Sequence, residues 1–211
     1  MKKLSNILLF TLLISVAMSA QKTKEAVLKK LDSQTEKYGS IAMQIWNLAE
    51  MGYLEEQSSS LLQETLIKEG FTIKKGVANI PTAFVAEYGS GLPIIAILGE
   101  FDALPGLSQQ AIPEKKSANG NAGHACGHHL FGTASAAAAI SVKQWMQSTK
   151  QKGTIRFYGC PAEEGGGAKV YMAREGLFDD VDIALHWHPG SQNAASAAAA
   201  LANISAKFRF Y

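Results

Sequence analysis

One continuous apolar run restricts the fold of this 211-residue chain more than any other feature. The run extends from Pro93 to Gly99 and contains no polar side chain. An uninterrupted run of this length, rich in isoleucine, is typical of a strand buried on both faces, as in sheets covered by helices. Two charged residues, Glu100 and Asp102, follow at once. The run therefore predicts a central strand that delivers Asp102 to the edge of a sheet.

The rest of the chain alternates between strand-like and helix-like segments. Hydrophobic periodicity predicts helices over residues 22–50 (interrupted near Tyr38-Gly39), 58–69, 132–146 and 168–174, and strands over residues 71–73, 82–88, 93–99, 154–159, 181–185 and 201–211. This alternation predicts an α/β fold: a mixed, mostly parallel sheet with helices on both faces. Ligands of such sheets bind beyond the carboxyl ends of the strands.

The composition and charge exclude some classes of function. Hydrophobic residues make up 47% of the chain and charged residues 18%, which predicts a packed core and excludes disorder. The formal net charge is only +2, and no basic patch is present. We therefore expect no nucleic-acid partner.

The first 20 residues have the pattern of a secretory signal peptide. Lys2 and Lys3 precede an apolar run, and small residues follow, with cleavage expected after Ala20. The apolar run is short for a membrane span, although a membrane anchor is the alternative. We expect a secreted or periplasmic protein without a stable membrane span. Residues 1–20 are set apart from the fold.

Residues 123–129 hold one thiol and three imidazoles. Thiolate and imidazole are the ligands that zinc prefers, with cobalt, nickel and manganese as lesser candidates. Cys126 and His128 are two residues apart, so their side chains can converge on one ion. For His124 and His129, an ordinary polar contact and a role in the site are both open.

Further candidate groups follow three other predicted strands. Glu163 and Glu164 lie on a glycine-rich turn, where one carboxylate can bind a metal and the other can take a proton from water. His186 and His188 compete for one ligand role, although Pro189 favours an extended backbone at His188. Asp102 either caps a turn or orients a ligand imidazole.

The two cysteines leave an alternative open. Export exposes Cys126 and Cys160 to an oxidising compartment in which they could form a disulfide. Such a bond would abolish the predicted metal site. We favour a free, buried Cys160, because it ends a strand-like run.

At these residues the chain resembles the M20 family of metallopeptidases and amidohydrolases, in particular the amidohydrolase branch that cleaves N-acyl amino acids. The resemblance begins near Lys24 and runs to the end of the chain. The segments that carry it are residues 44–46, 79–81, 98–110, 123–130, 156–167 and 179–189.

The resemblance implies a role for each matching residue. It implies Glu163 as the general base and Asp102 as the aspartate beside a ligand. Glu100 stands where the wider family has a histidine, and His129 stands where relatives carry Asp or Asn. The metal ligands that it implies are Cys126, His128, Glu164 and His188.

The resemblance also implies cofactors, partners and domains. It implies two divalent ions, zinc or manganese, and a small N-acyl amino acid as substrate. Family members are roughly twice as long, and a lid and dimerisation domain and a last ligand histidine lie in the additional part. We therefore expect residues 21–199 to be the first part of a catalytic domain and residues 200–211 to begin the lid domain. A homodimer or heteromer is expected only with that lid. The alternative is a non-catalytic metal- or ligand-binding module.

Overall fold

The structure, a computed structural model, describes residues 23–195, 206 and 208–210. The described helices are α1 (residues 23–32), α2 (Thr35–Leu48), α3 (Glu56–Lys68), α4 (His128–Thr149) and α5 (Ala168–Arg174). The described strands are β1 (Thr72–Lys75), β2 (Phe84–Ser90), β3 (Ile94–Gly99), β4 (Leu104–Pro105), β5 (Ala122–Gly123), β6 (Gly153–Gly159) and β7 (Ile183–Leu185). The predicted signal peptide and most of the predicted strand over residues 201–211 lie outside the described residues.

Five of these strands form one mixed sheet in the order β1-β2-β6-β3-β7. β3 runs parallel to both of its neighbours, β6 and β7. β1 and β2 are antiparallel additions on the side of β6. The predicted α/β fold is confirmed, and parallel pairing within this sheet is restricted to β6, β3 and β7. The link between β1 and β2 is too short for the crossover that a parallel pair requires.

The two faces of the sheet are covered by different helices. On β3 and β6, Ile97 and Phe157 point to one face, whereas Ala96 and Tyr158 point to the other, as the two-residue period of a strand requires. The first face packs against α2, α3 and α4, and the second against α5 and a short 3₁₀ helix at Val77–Asn79. Helices therefore lie on both faces, as predicted.

The alanine-rich helix α4 lies close to the end of β3. A Cβ atom at Gly132 would lie only 2.5 Å from the carbonyl oxygen of Glu100. No larger residue fits at this position without moving the helix. This close contact brings the first residue of α4, His128, beside the acidic groups that follow β3.

The largest differences from the predicted helices are the position of the break in the first helix and the start of α4. The first helical stretch breaks at Ser33-Gln34, and α2 continues through Tyr38 and Gly39. Tyr38 is buried, so its packing stabilises the helix across the glycine. Helix α4 begins four residues earlier than predicted, at His128. Among the described residues, none of the helices combines the length and apolar character needed to cross a membrane.

Candidate metal centre

The predicted site residues converge at one edge of the sheet. β3, β6 and β7 run in the same direction, so their carboxyl ends meet there. The loops after these strands carry Asp102, the pair Glu163-Glu164 and His188. Cys126 and His128 arrive from the segment that begins α4.

A thiol and two imidazoles form the centre of this cluster. Ligand atoms of Cys126, His128 and His188 all lie within 4.8 Å of one another. The Sγ atom of Cys126 is 3.2 Å from Nε2 of His188. One thiolate with two neutral imidazoles is a ligand set that suits zinc.

The structure brings His188, and not His186, to Cys126. Nε2 of His186 instead lies 3.4 Å from Oε1 of Glu100. In the loop after β7, Pro189 packs closely against Gly127. A Cβ atom at Gly127 would lie only 2.9 Å from Cγ of Pro189. Gly127 also has a φ of 85°, which favours glycine. This close contact holds Pro189, the neighbour of His188, against the segment that carries Cys126.

Asp102 orients the imidazole of His128. Oδ1 of Asp102 is 2.9 Å from Nδ1 of His128, and both side chains are buried. The other oxygen of Asp102 accepts the backbone N–H of Glu164 at 2.8 Å. With Nδ1 committed to the carboxylate, Nε2 is the ring atom left for a metal.

The two adjacent glutamates border different parts of the cluster. Oε2 of Glu163 is 3.7 Å from Nε2 of His128, and Glu163 forms a second group of ligand atoms with Glu100 and His128. Burial, with the nearby charges of Glu100 and Glu164, raises the pKa of Glu163. Glu164 lies beside Cys126, and burial together with a hydrogen bond to Glu164 raises the pKa of Cys126 to about 11.

Nε2 of His128 and Oε2 of Glu100 are buried and have no hydrogen-bond partner among the described residues, and neither does the buried Oε1 of Glu164 beside Cys126. Oε2 of Glu100 is 3.0 Å from Nε2 of His128, so this contact has the distance of a hydrogen bond but not its direction. Orphaned buried donors and acceptors are rare. A divalent cation would satisfy Nε2 of His128 and Oε2 of Glu100, whose residues belong to one group of ligand atoms, so these residues fit a metal centre.

Electrostatics in the absence of a cation favour a protonated imidazole. Burial lowers the pKa of His128, but Asp102 and Glu100 outweigh it and raise the pKa to about 10. Burial raises the pKa of Glu100, but His128 and Lys169 outweigh it and hold the pKa at about 2. A bound cation would take the place of the proton on His128.

Sequence reasoning missed the group of residues around Glu100. The carboxylate of Glu100 is 2% exposed and forms an ion pair with Nζ of Lys169, the second residue of α5. A charged residue directly after a buried strand was the signal for Glu100. No local pattern marked Lys169, because the pairing joins residues 69 positions apart.

The remaining histidines and the second cysteine lie away from the centre of the cluster. His124 and His129 pack against each other and against Trp46, with 5.1 Å between the two imidazole centroids. Burial, as the largest cause, lowers the pKa of each to about 4.

Both cysteines are free, and Cys160 is fully buried on the second face of the sheet, which contradicts the Cys126–Cys160 disulfide.

The fold and the site together define a class of protein: α/β proteins with a candidate metal centre in the loops at the carboxyl ends of parallel strands. The sequence profile of Peptidase family M20/M25/M40 matches residues 96–205. The chain belongs to this family.

Similarity to individual proteins is consistent with membership of this family. The chain is 50% identical over 182 residues to a polypeptide of the p-aminobenzoyl-glutamate hydrolase of Escherichia coli (strain K12), a match that covers 85% of this chain and 38% of the relative. It is 32% identical over 161 residues to hippurate hydrolase of Campylobacter jejuni, with 75% and 40% covered. The chain thus spans well under half the length of these relatives.

Among solved structures, the fold resembles a dinuclear metal-binding peptidase of the M20 family from Bacillus subtilis. The TM-score is 0.63 at 24% identity, and the match covers 74% of this chain and 43% of that one. At this identity the likeness concerns the fold alone.

Proposed function

We propose that this chain supplies the metal-binding part of an amidohydrolase that cleaves the amide bond of N-acyl amino acids. The observation that carries the proposal is the convergence of Cys126, His128 and His188 within 4.8 Å. The named relatives hydrolyse p-aminobenzoyl-glutamate and hippurate, as their names state. Both compounds are N-acyl amino acids, and p-aminobenzoyl-glutamate is our specific proposal because its hydrolase is the relative with 50% identity.

We assign Cys126, His128, Glu164 and His188 as metal ligands, and Asp102 as the group that orients His128. Bound zinc or manganese supplies Lewis acidity to the scissile carbonyl and lowers the pKa of a water molecule. We propose two ions, because the M20 peptidase from Bacillus subtilis whose fold this chain resembles is described as dinuclear and metal-binding.

Glu163 has the position and the proton affinity of a general base. Its side chain is 44% exposed, so it can reach water and substrate, and its carboxylate faces His128 at 3.7 Å. A raised pKa makes it a better proton acceptor. Glu163 would take the proton of the attacking water and pass it to the leaving amine.

We further propose export of the protein, on the pattern of residues 1–20. The proposed organisation is a signal peptide at 1–20, a catalytic part at 21–199 and the beginning of a lid domain at 200–211. The proposed partner is a small N-acyl amino acid, and association into a dimer or heteromer would require the lid.

Metal content tests the centre directly. The chain is purified without its first 20 residues, and bound metal is measured by elemental analysis in wild type, Cys126→Ser and Cys160→Ser. A metal content that is lower in Cys126→Ser than in wild type, but unchanged in Cys160→Ser, supports Cys126 as a ligand. Cys160 serves as the control because it is buried away from the cluster. Equal metal in all three would contradict it.

Turnover tests the reaction. Hydrolysis of p-aminobenzoyl-glutamate and hippurate is measured in the longest natural polypeptide that carries this sequence. Glu163→Ala is expected to retain metal and lose at least about 100-fold in kcat. Full metal occupancy without hydrolysis of either compound by the wild type would favour a non-catalytic metal-binding module.

A further inference from the structure

The turn that carries Glu163 and Glu164 begins at Ala162, a residue with a φ of 52°. This left-handed conformation is unfavourable for a residue with a Cβ atom. The carbonyl of Ala162 accepts the N–H groups of Gly166 at 3.1 Å and Gly167 at 2.7 Å, so the whole turn closes around this residue. Whatever holds Ala162 therefore determines where the two carboxylates point.

A buried carboxylate holds Ala162 from a distant part of the chain. Oε1 of Glu55 accepts the backbone N–H of Ala162 at 2.7 Å, and Oε2 accepts the hydroxyl of Thr82 at 3.2 Å. Glu55 is 0% exposed and belongs to neither group of ligand atoms in the described structure. Burial raises its pKa to about 7, so the group is kept despite an electrostatic penalty.

Neighbours of Glu55 contact the same turn. The hydroxyl of Tyr53 donates to the carbonyl of Gly166 at 2.7 Å. A Cβ atom at Gly52 would lie 3.1 Å from Cα of Ala162, so the two backbones are in close contact.

The same segment is also tied to the loop that carries Asp102. The N–H of Ala103 donates to the carbonyl of Glu50 at 2.8 Å, and Met51 forms a bridge with Ala103. Residues 50–55 thus contact both the Asp102 loop and the Glu163-Glu164 turn. This segment therefore helps to set the distance between the Asp102 loop and the turn. Across that distance the backbone N–H of Glu164 donates to the carboxylate of Asp102.

We propose that Glu55 is a positioning residue of the metal centre, which acts through Ala162 to hold Glu163 and Glu164 in place, with Tyr53 as a second support. The proposal rests on the proposed function, since it assigns those two carboxylates to metal binding and proton transfer. A residue that only filled space here would not need a hydrogen-bond acceptor, because an apolar side chain of similar volume fills a core at lower cost.

Matched variants separate positioning from packing. Glu55→Gln keeps an oxygen that can accept the N–H of Ala162, whereas Glu55→Leu fills the space but leaves that N–H without an acceptor. Gln63→Leu is the control, because Gln63 lies on α3 and is also buried but bonds to Ser59 and not to the turn. Affinity for Zn²⁺ alone and for Mn²⁺ alone is measured by chelator competition, with kcat, KM and the melting temperature.

We expect Glu55→Leu to weaken metal binding by about tenfold or more, as for other groups that orient ligands. It should lower kcat more than it raises KM, and Glu55→Gln should remain near wild type. Gln63→Leu should change the melting temperature only. A folded Glu55→Leu protein with wild-type metal affinity and kcat would overturn the proposal, as would a Glu55→Gln protein as impaired as Glu55→Leu.

Tyr53→Phe keeps the proposal testable if Glu55→Leu does not fold. Tyr53 is 42% exposed, so loss of its hydroxyl should leave the fold intact. We expect a fall of about threefold to tenfold in metal affinity or kcat, the worth of one hydrogen bond. No change would then overturn the proposal. If the wild type binds metal but hydrolyses no amide, the proposed function fails while the affinity measurements still test the positioning role.

Discussion

Oδ1 of Asp102 lies 2.9 Å from Nδ1 of His128, while Oδ2 of the same carboxylate accepts the N–H of Glu164. One buried aspartate therefore connects the imidazole at the start of α4 with the turn after β6. This arrangement leaves Nε2 of His128 directed toward the thiol and the acidic groups. A change at Asp102 should affect both of the elements that it connects.

Asp102→Asn should weaken metal binding by about 10-fold to 100-fold, because an amide can present its NH₂ group to Nδ1 and change the tautomer of His128. Chelator competition with Zn²⁺ measures the change. Asp179→Asn is a suitable control, because Asp179 lies at the opposite end of α5 from the Glu163-Glu164 turn. Wild-type affinity in Asp102→Asn would show that the carboxylate does not orient the ligand.

His188→Ala should lose metal, whereas His186→Ala should retain most of it. The reason is geometric: Nε2 of His188 is 3.2 Å from the thiol, and Nε2 of His186 faces Glu100. Elemental analysis of the two purified variants gives the comparison. The reverse pattern would assign the ligand role to His186.

Lys169→Met should destabilise the fold by roughly 1–3 kcal/mol, because it removes one of the two cationic neighbours of the buried Glu100 carboxylate and leaves only His128. The figure is reduced from that of a fully buried pair, since Lys169 is 28% exposed. Lys68→Met, which breaks an exposed pair with Glu64, should change stability little. Urea unfolding measures both. Adding Glu100→Gln to Lys169→Met should recover part of the loss, and a purely additive double variant would exclude the coupling.

Metal binding should release protons and strengthen with rising pH. In the metal-free protein the pKa of Cys126 is about 11 and that of His128 about 10, so both carry protons at neutral pH. The metal must displace them, and each displaced proton gives up to about a tenfold gain in affinity per pH unit. Calorimetry in buffers of different ionisation enthalpy counts the protons. Binding that is independent of pH between 6 and 9 would contradict this prediction.

Glu55 should make the fold less stable as the pH rises. Its pKa is about 7 in the fold against an ordinary value of 4.5. Between pH 4.5 and pH 7 the folded protein binds more protons than the unfolded chain. The contribution of Glu55 to the free energy of unfolding is therefore fully present below pH 4.5. It falls by roughly 3 kcal/mol as the pH rises through 7. The lowered pKa values of His124 and His129 act in the opposite sense. The measured quantity is therefore the difference in unfolding free energy between wild type and Glu55→Gln, and a flat difference would contradict the prediction.

Much of the fold followed from local patterns. The helix over Ala168–Arg174 was predicted at its observed boundaries, and the strand at residues 93–99 differs from β3 by one residue. The antiparallel pairing of β1 with β2 was not predicted, because strand direction depends on how the chain returns and not on the hydrophobic period of either strand.

The sequence by itself determined the alternation of strands and helices and the chemistry at the strand ends. Hydrophobic periodicity is local, and parallel strands bring the groups that follow them to one edge, so the convergence of Asp102, His128 and Glu163 was predictable. The residues by themselves left His186 and His188 open, and only the resemblance favoured His188. The tertiary structure places His188 against Cys126, and it alone decided that Glu100, Lys169 and Glu55 surround the centre. These outcomes depend on long-range contacts, such as Pro189 on Gly127, because the direction of a side chain in an irregular loop is determined by packing and not by its sequence neighbours.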